Sequence, residues 1–407
     1  MTTPLALANP LDVFVAQTLY RKLQRSQSGF IGDGADAQAC RTSPDSACYR
    51  CFAKLWPHAN RSATSQALVE LSNTLMALAL HWHQVPQVQR HIARAIGAFL
   101  VRHVPLELVP PFVQQLVANA ASANQTEQSL AFRVLAEAPE ELGAKLPLPR
   151  AQAITACLKA HCEGVLRGLL AEHVLAHTQS VPLLFRCVQS WLELGVGTVN
   201  VSSFLGTPAV QLAWACCSPS TAYAAAWKEE AIDLLTSLVS VGAVDGSSSV
   251  TEGAGSIASA LMSQFRFLAH LAGHSEEVEE ASMGATVVVT AAADKFAPFY
   301  ATAAVHQSPD LDWRFGFLDF MLAITTTAPF KICELALPFW ERLSEPSGAS
   351  ASASVVPAAQ LDPTVQQALL RASDIGSRRT AYPADYNRGQ RGGAPTSSSS
   401  VIACGRL

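Results

Sequence analysis

Residues 181–196 (VPLLFRCVQSWLELGV) limit the possible fold more than any other stretch of the chain. Their apolar side chains recur at the three- and four-residue spacing of a single helix face, which includes the indole of Trp191. Pro182 suits the first helical turn, where its missing N–H has no partner, and Gly195 suits the position after the last turn. A helix of about four turns cannot bury such a face alone. The stretch therefore predicts neighbouring helices on both sides.

The same helical pattern recurs along most of the chain, and strand signals are nearly absent. The β-branched run ATVVVT at 285–290 lies inside a longer helical pattern, and we predict that it is helical as well. Pro139 is expected to end its helix, and 150–177 to form one long helix or two short ones broken near Gly164. The other predicted helices cover 65–82, 86–103, 105–121, 125–138, 208–217, 222–241, 255–272, 276–304, 310–328 and 329–343.

Pairs of these helices form units of about 40 residues, the size of HEAT or armadillo repeats. We therefore predict an all-α, HEAT/armadillo-like helical-repeat superhelix. Four parts are expected: an N-terminal helix of the solenoid (1–25), a low-complexity insertion (26–60), the HEAT-repeat solenoid (61–345), and a linker with a largely disordered tail (346–407). One further helix is expected at 362–372, and the Arg/Gly/Ser-rich sequence after Ser377 is typical of disorder.

The composition argues against several classes of protein. A formal net charge of -4 provides no basic face for nucleic acid, so no direct nucleic-acid partner is expected. No uninterrupted run of about 18 apolar residues occurs, so no membrane span is expected. The N-terminal sequence lacks the basic and apolar regions of a secretory signal. The 10 cysteines lie mostly within apolar helical patterns, which favours reduced thiols in the protein core.

One cluster has the composition of a metal site. Cys48 and Cys51 have C-x-x-C spacing, and with Cys40 and His58 they could hold zinc tetrahedrally. A second C-x-x-C pair at finger spacing is missing, and the segment is a low-complexity insertion. Free thiols in a loop are therefore the favoured interpretation, and no metal site is predicted. His81, His83, His91 and His103 are interpreted as surface histidines at helix ends, because no carboxylate stands near them in a ligand pattern.

The consecutive residues His161, Cys162 and Glu163 suggest a Cys/His nucleophile. Neighbouring residues of a helix diverge by about 100°, so they cannot form a hydrogen-bonded pair within one helix. No Gly-rich phosphate loop occurs either. We therefore predict no enzymatic activity and no cofactor.

The acidic run SEEVEE at 275–280 has two interpretations. It fits a capped, solvated helix start, where carboxylates interact favourably with the helix dipole. It could instead add to an acidic inner surface that attracts basic cargo. Asp310, Asp312 and Asp319 flank another helix start, and the dipole suffices to explain them.

Four segments, in order along the chain, resemble the importin-β superfamily of nuclear transport receptors, and its transportin-SR and importin-thirteen branch in particular. Residues 185–196 (FRCVQSWLELGV) resemble an FRC–SW–LGV helix of that family. The other three segments are VFVAQTLYRKLQ (13–24), with an AQT–K core, RVLAEAPEEL (133–142), with a Pro-Glu-Glu ending, and ELALPFWERLSE (334–345), with an FW-x-RL core.

The resemblance implies a HEAT solenoid that carries protein cargo between nucleus and cytoplasm under control of the Ran GTPase. The implied partners are Ran in its GTP form, protein cargo, with Arg/Ser-rich proteins as one candidate, and Phe-Gly nucleoporins. Family members are about twice as long, so we expect the chain to correspond to an N-terminal half shortened at both ends.

A HEAT-repeat scaffold or adaptor without a transport role remains an alternative, because a fold alone does not fix a function. Ran binding distinguishes the two hypotheses. An α-helical enzyme is a third class, and it requires a pocket of acid, base or metal ligands that the sequence does not offer.

Overall fold

The computed structural model describes residues 76–77, 79–80, 86–102, 104–143, 146, 148–219, 223, 225–242, 248–271, 274–301, 313–344 and 363–380. The predicted N-terminal helix (1–25), the insertion (26–60) and the tail after residue 380 lie outside these residues. Within them every regular element is helical and no strand occurs. The predicted all-α class is therefore confirmed for this part of the chain.

The first compact unit spans Met1–Gly195. Its described helices are α1 (Pro86–Arg102), α2 (Val109–Ala120), α3 (Gln125–Glu140), α4 (Leu148–Leu169) and α5 (Val181–Leu194). Helix α3 packs between α1 and α5, while α2 packs against α4. Helix α2 also packs on α3, and α4 on α5. Successive helices therefore alternate between two rows, one formed by α1, α3 and α5 and the other by α2 and α4.

The second compact unit spans Val196–Leu407. Its described helices are α6 (Pro208–Cys216), α7 (Ala225–Gly242), α8 (Ser248–Gln264), α9 (Glu276–Phe296), the short α10 (Pro298–Ala301), α11 (Trp313–Thr327), α12 (Phe330–Ser344) and α13 (Pro363–Thr380). Helix α9 packs between α7 and α12, and α11 packs between α8 and α13. Two rows of alternate helices therefore occur in this unit as well.

The indole of Trp191 lies at the centre of the first unit. Its side chain has 0% exposure, and its Nε1–H donates to the carbonyl oxygen of Leu135 on α3 at 2.9 Å. In a regular helix that carbonyl would accept the N–H of residue 139, but Pro139 has no N–H. The indole therefore supplies the donor that Pro139 lacks, and it joins α5 to α3.

This bond explains why the predicted end of α3 is wrong. The helix does not stop before Pro139 but continues through it to Glu140, followed by a 3-10 turn at Glu141–Gly143. Part of the cost of a proline inside a helix is an unpaired carbonyl, and here a neighbouring helix removes that cost. The predicted alternative of a break near Gly164 is also wrong, because α4 is continuous from Leu148 to Leu169.

Two more buried side chains donate hydrogen bonds to backbone carbonyls of other elements in this unit. The Cys162 thiol on α4 donates to the carbonyl of Trp191 at 2.9 Å, so Trp191 contacts both neighbouring helices. The Gln128 amide donates to the carbonyls of Ala120 and Val174, each at 3.0 Å. These contacts pair the Cys162 thiol and the Gln128 NH₂ group in the core, and the Trp191 carbonyl also accepts the Gly195 N–H at 3.0 Å.

The second unit contains a similar arrangement around α12, which has Pro338 in its interior. The Thr290 hydroxyl on α9 donates to the carbonyl of Leu335, three residues before Pro338, at 3.0 Å. The indole of Trp340 donates to the Thr325 hydroxyl on α11 at 2.9 Å. Helix α12 is thereby joined to one helix in its own row and to one in the other.

The β-branched stretch at 285–290 is helical, as predicted, and lies within α9. The hydroxyls of Thr286 and Thr290 donate to carbonyls four residues earlier, at 3.0 and 2.8 Å. Val288 and Val289 are buried. Burial of the two valines offsets the weak helix propensity of β-branched residues, and the local bonds satisfy the threonine hydroxyls.

Helix α13 is longer than the predicted 362–372 and continues past Ser377 to Thr380. Arg378 forms an ion pair with Asp374 one turn earlier at 2.7 Å, and the Ser377 hydroxyl donates to the Ser373 carbonyl. These local contacts stabilise the last turns of a segment for which composition alone indicated disorder.

The substitution Trp191→Phe tests the bond to Leu135. It removes the indole donor and leaves a buried carbonyl unpaired, because Pro139 cannot replace it. We expect the free energy of unfolding to fall by about 1–3 kcal/mol more than the loss of ring volume alone would cost. Urea unfolding followed by helical circular dichroism measures the change.

Trp214→Phe is the matched control. Trp214 is 2% exposed, but its buried Nε1 has no hydrogen-bond partner among the described residues. This substitution therefore removes ring volume without removing a hydrogen bond. Equal losses for the two variants would contradict a special role for the Trp191 indole.

Candidate functional site

An open cleft of about 410 Å³ lies in the second unit, where the end of α6 meets α7 and α9. Its lining includes Cys216 at the end of α6 and Cys217 directly after it, Lys228 and Ile232 on α7, and Glu277, Glu280 and Gly284 on α9. Gly284 allows the close approach of α9 to α7, because a Cβ atom there would lie 2.6 Å from Ile232 Cδ1. The cleft is therefore shaped by a glycine that the sequence analysis did not single out.

Glu277 and Glu280 form an acidic edge of this cleft and are exposed. They belong to the predicted acidic run 275–280, whose carboxylates lie near the positive end of the α9 dipole. The predicted side-chain cap is wrong, since Ser275 makes no side-chain cap hydrogen bond. Ser275 is exposed, so water can solvate the free N–H groups while the carboxylates offset their partial charge.

The two cysteines of the cleft are poor nucleophiles at neutral pH. Burial raises the pKa of the Cys216 thiol to about 11 and that of Cys217 to about 12, and the nearby Lys228 lowers both only partly. The thiolate is the reactive form, and little of it exists far below the pKa. The cleft thus combines one ammonium and two carboxylates with neutral thiols and the apolar side chains of Ile232 and Ala281.

The sequence-predicted trio on α4 does not form a reactive group. Cys162 is buried and bonded to the Trp191 carbonyl, and burial raises the pKa of its thiol to about 12. Glu163 forms an ion pair with Arg167 at 2.6 Å on the solvent side of the same helix. These two side chains therefore lie in different surroundings, and the thiol acts as a structural donor.

Most of the other residues considered as ligands lie outside the described residues: Cys40, Cys48, Cys51, His58, His81, His83, His103, Asp310 and Asp312. The backbone of His91 lies within α1, and Asp319 is exposed on α11. Within the described ranges no group of three His, Cys, Asp or Glu side chains is arranged to hold a metal ion. No helix in this part of the chain is long and apolar enough to cross a membrane.

A network of charged side chains covers the row formed by α1, α3 and α5. Arg186 on α5 donates to both carboxylate oxygens of Glu140 at the end of α3, at 2.9 and 3.2 Å. Glu141 is 8% exposed and accepts from Arg94 and Arg102 of α1, at 3.3 and 3.2 Å. Sequence reasoning missed these pairs, because their members are far apart in the chain and belong to different helices.

No protein-family model and no curated protein matches this chain. The segments 133–142 and 185–196 contact each other through Arg186 with Glu140 and through Trp191 with Leu135.

The reactivity of the cleft cysteines gives a pH prediction. We expect the alkylation rate of Cys216 and Cys217 in the folded chain to rise about tenfold per pH unit from pH 8 to about 10, because the thiolate fraction is still increasing there. An ordinary thiol with a pKa near 8.5 levels off at about pH 9.5. Iodoacetamide labelling with mass spectrometry of each site measures both profiles.

Restricted access to the partly buried thiols also slows labelling, but it lowers the rate at every pH and does not change the pH at which the rate levels off. The variants Cys216→Ser and Cys217→Ser separate the two adjacent sites. A plateau at about pH 9 in either single-cysteine profile would show that these thiols have an ordinary pKa and that burial in the cleft does not raise it.

Proposed function

We propose that this chain is a nuclear transport receptor of the importin-β superfamily, or a part of one, that binds Ran in its GTP form and protein cargo. Its helices would form HEAT repeats stacked into a superhelix. The packing of alternate helices in two rows supports this proposal. When helix pairs are stacked, each helix packs against the helix two positions further along the chain.

The contact between the two family-like segments carries the proposal. The FRC–SW–LGV segment supplies Arg186 and Trp191, and the Pro-Glu-Glu segment supplies Leu135, Pro139 and Glu140. These residues join two neighbouring helices of one row through the Trp191–Leu135 and Arg186–Glu140 bonds. The residues that carry the resemblance are thus residues that hold helices α3 and α5 together.

Such a receptor works by recognition and not by covalent chemistry. A superhelix of stacked pairs offers an extended concave surface, and flexing between pairs couples distant sites. Ran in its GTP form and cargo would compete or cooperate through this curvature, while grooves between outer helices would take Phe-Gly nucleoporins. The chain would then be present in both nucleus and cytoplasm.

The acidic edge of the cleft fits a basic cargo segment. Glu277 and Glu280 are exposed carboxylates, and guanidinium groups form charge-assisted hydrogen bonds with carboxylates. Arg/Ser-rich cargo presents guanidinium groups at short spacing. We therefore assign Glu277 and Glu280 to cargo recognition within the proposed function.

A pull-down with purified Ran tests the proposal. Ran is loaded in parallel with GDP and with a non-hydrolysable GTP analogue, and immobilised full chain is the bait. We expect selective capture of the GTP form. The absence of selective capture, from protein that circular dichroism shows to be folded and helical, would favour a HEAT-repeat scaffold or adaptor without a transport role.

Charge reversal tests the cargo assignment. The double substitution Glu277→Lys and Glu280→Lys should weaken binding of a fluorescent Arg/Ser-repeat peptide about three- to tenfold, because it replaces attraction by repulsion at the cleft edge. Fluorescence anisotropy at low and high salt measures the affinity. Glu163→Lys, an exposed reversal on α4, is the control for net charge. Equal losses in the control and the double variant would argue against recognition at the cleft.

A further inference from the structure

Three arginines occupy neighbouring helices of one row in the first unit. Arg90 lies on α1, Arg133 on α3 and Arg186 on α5, and α3 packs against both other helices. Burial lowers the pKa of Arg133, and the positive charges of Arg90 and Arg186 lower it further. Arg133 is therefore close enough to the guanidinium groups of Arg90 and Arg186 for both of their charges to act on it.

Arg133 has no acceptor for its innermost donor. Its Nε is shielded from solvent and has no hydrogen-bond partner in the described part of the chain. Glu137, one turn along α3, is the carboxylate that favours the charge of Arg133, and its effect is the smallest of those acting on that group. Burial of a guanidinium N–H without a hydrogen-bond acceptor is energetically unfavourable. A bound anion could supply the acceptor that Arg133 lacks.

The two flanking arginines differ in how they are held. Arg186 is fixed by its two-pronged contact with Glu140, at 2.9 and 3.2 Å, which also offsets the charge of that carboxylate. Arg90 is exposed, and no ion pair of its side chain occurs within the described ranges. One arginine is thus positioned by the fold, while the other is available to a ligand from solvent.

The carboxylates beside the trio oppose an anion less than their number suggests. Burial and, next, the adjacent Glu140 raise the pKa of Glu137, while Arg186 and Arg94 lower it, so these two arginines partly offset the negative charge of this carboxylate. Glu140 itself is paired with Arg186. A dianion with several acceptor oxygens suits the three arginines, because arginine clusters bind phosphoryl groups through charge-assisted hydrogen bonds.

We propose that Arg90, Arg133 and Arg186 form a binding site for a phosphoryl group, supplied either by a free phosphate anion or by a phosphorylated side chain of a partner protein. The site lies across α1, α3 and α5, apart from the cleft of the second unit. It does not depend on the proposed transport role.

The test uses the full chain and two probes at constant ionic strength. Isothermal titration compares inorganic phosphate with a phosphoserine peptide flanked by glycines, and the unphosphorylated peptide is the blank. Stronger binding of the phosphopeptide than of phosphate assigns the site to a protein partner, whereas equal or stronger binding of phosphate assigns it to the free anion. Either result supports the site if the arginine variants then weaken it.

Arg133→Gln and Arg90→Gln should each lower the affinity about tenfold or more, since each removes a charge-assisted contact. Arg167→Gln is the matched control, because Arg167 is an exposed arginine on α4 of the same unit and pairs with Glu163 one turn away. It should bind the probe as the unmodified chain does. Circular dichroism checks the fold of each variant, and if Arg133→Gln does not fold, the exposed Arg90→Gln decides. Failure of both probes to bind, or equal binding by the Arg90 and Arg167 variants, overturns the proposal.

Discussion

The first unit depends on the hydrogen bond from the Trp191 indole to the carbonyl of Leu135. Pro139 leaves that carbonyl without its helical donor, and the indole on the neighbouring helix supplies one. Apolar packing alone is not directional, so it tolerates a helix that slides or rotates along its neighbour. A buried donor and a buried acceptor that lack other partners fix the alignment, since any shift leaves both unpaired. The Arg186–Glu140 contact and the arginine trio lie across the same row of helices and depend on this alignment.

The second unit applies the same principle with different residues. Thr290 donates to the carbonyl of Leu335 on α12, and the indole of Trp340 donates to Thr325 on the other row. With 15% charged residues, the chain has few side chains that could specify register by ion pairs. Directional bonds to hydroxyls and to backbone carbonyls perform that role together with the ion pairs of Glu140 and Glu141. The surfaces proposed for recognition are the acidic edge of the cleft in one unit and the arginines on a helix row of the other.

Local periodicity predicted the helices well, and it failed where distant residues decide the outcome. The stretch 181–196 and the β-branched run at 285–290 are helical because their apolar residues follow the 3.6-residue period, which a sequence reveals directly. The end of α3 was missed because the partner of the Leu135 carbonyl lies on another helix. The charged contacts of Glu140 and Glu141, and the cleft shaped by Gly284, were missed for the same reason. A single sequence does not show which distant side chains meet.

A double-mutant cycle with Trp191→Phe and Pro139→Ala tests the central interaction most directly. Alanine at 139 restores a backbone N–H that can reach the Leu135 carbonyl, so the indole donor is no longer needed there. The free energy of unfolding, measured by urea titration of all four proteins, gives the coupling between the two changes. We predict that Trp191→Phe costs about 1 kcal/mol or more less in the Pro139→Ala background than in the unmodified chain. Additive effects of the two substitutions would show that the indole does not substitute for the missing proline donor.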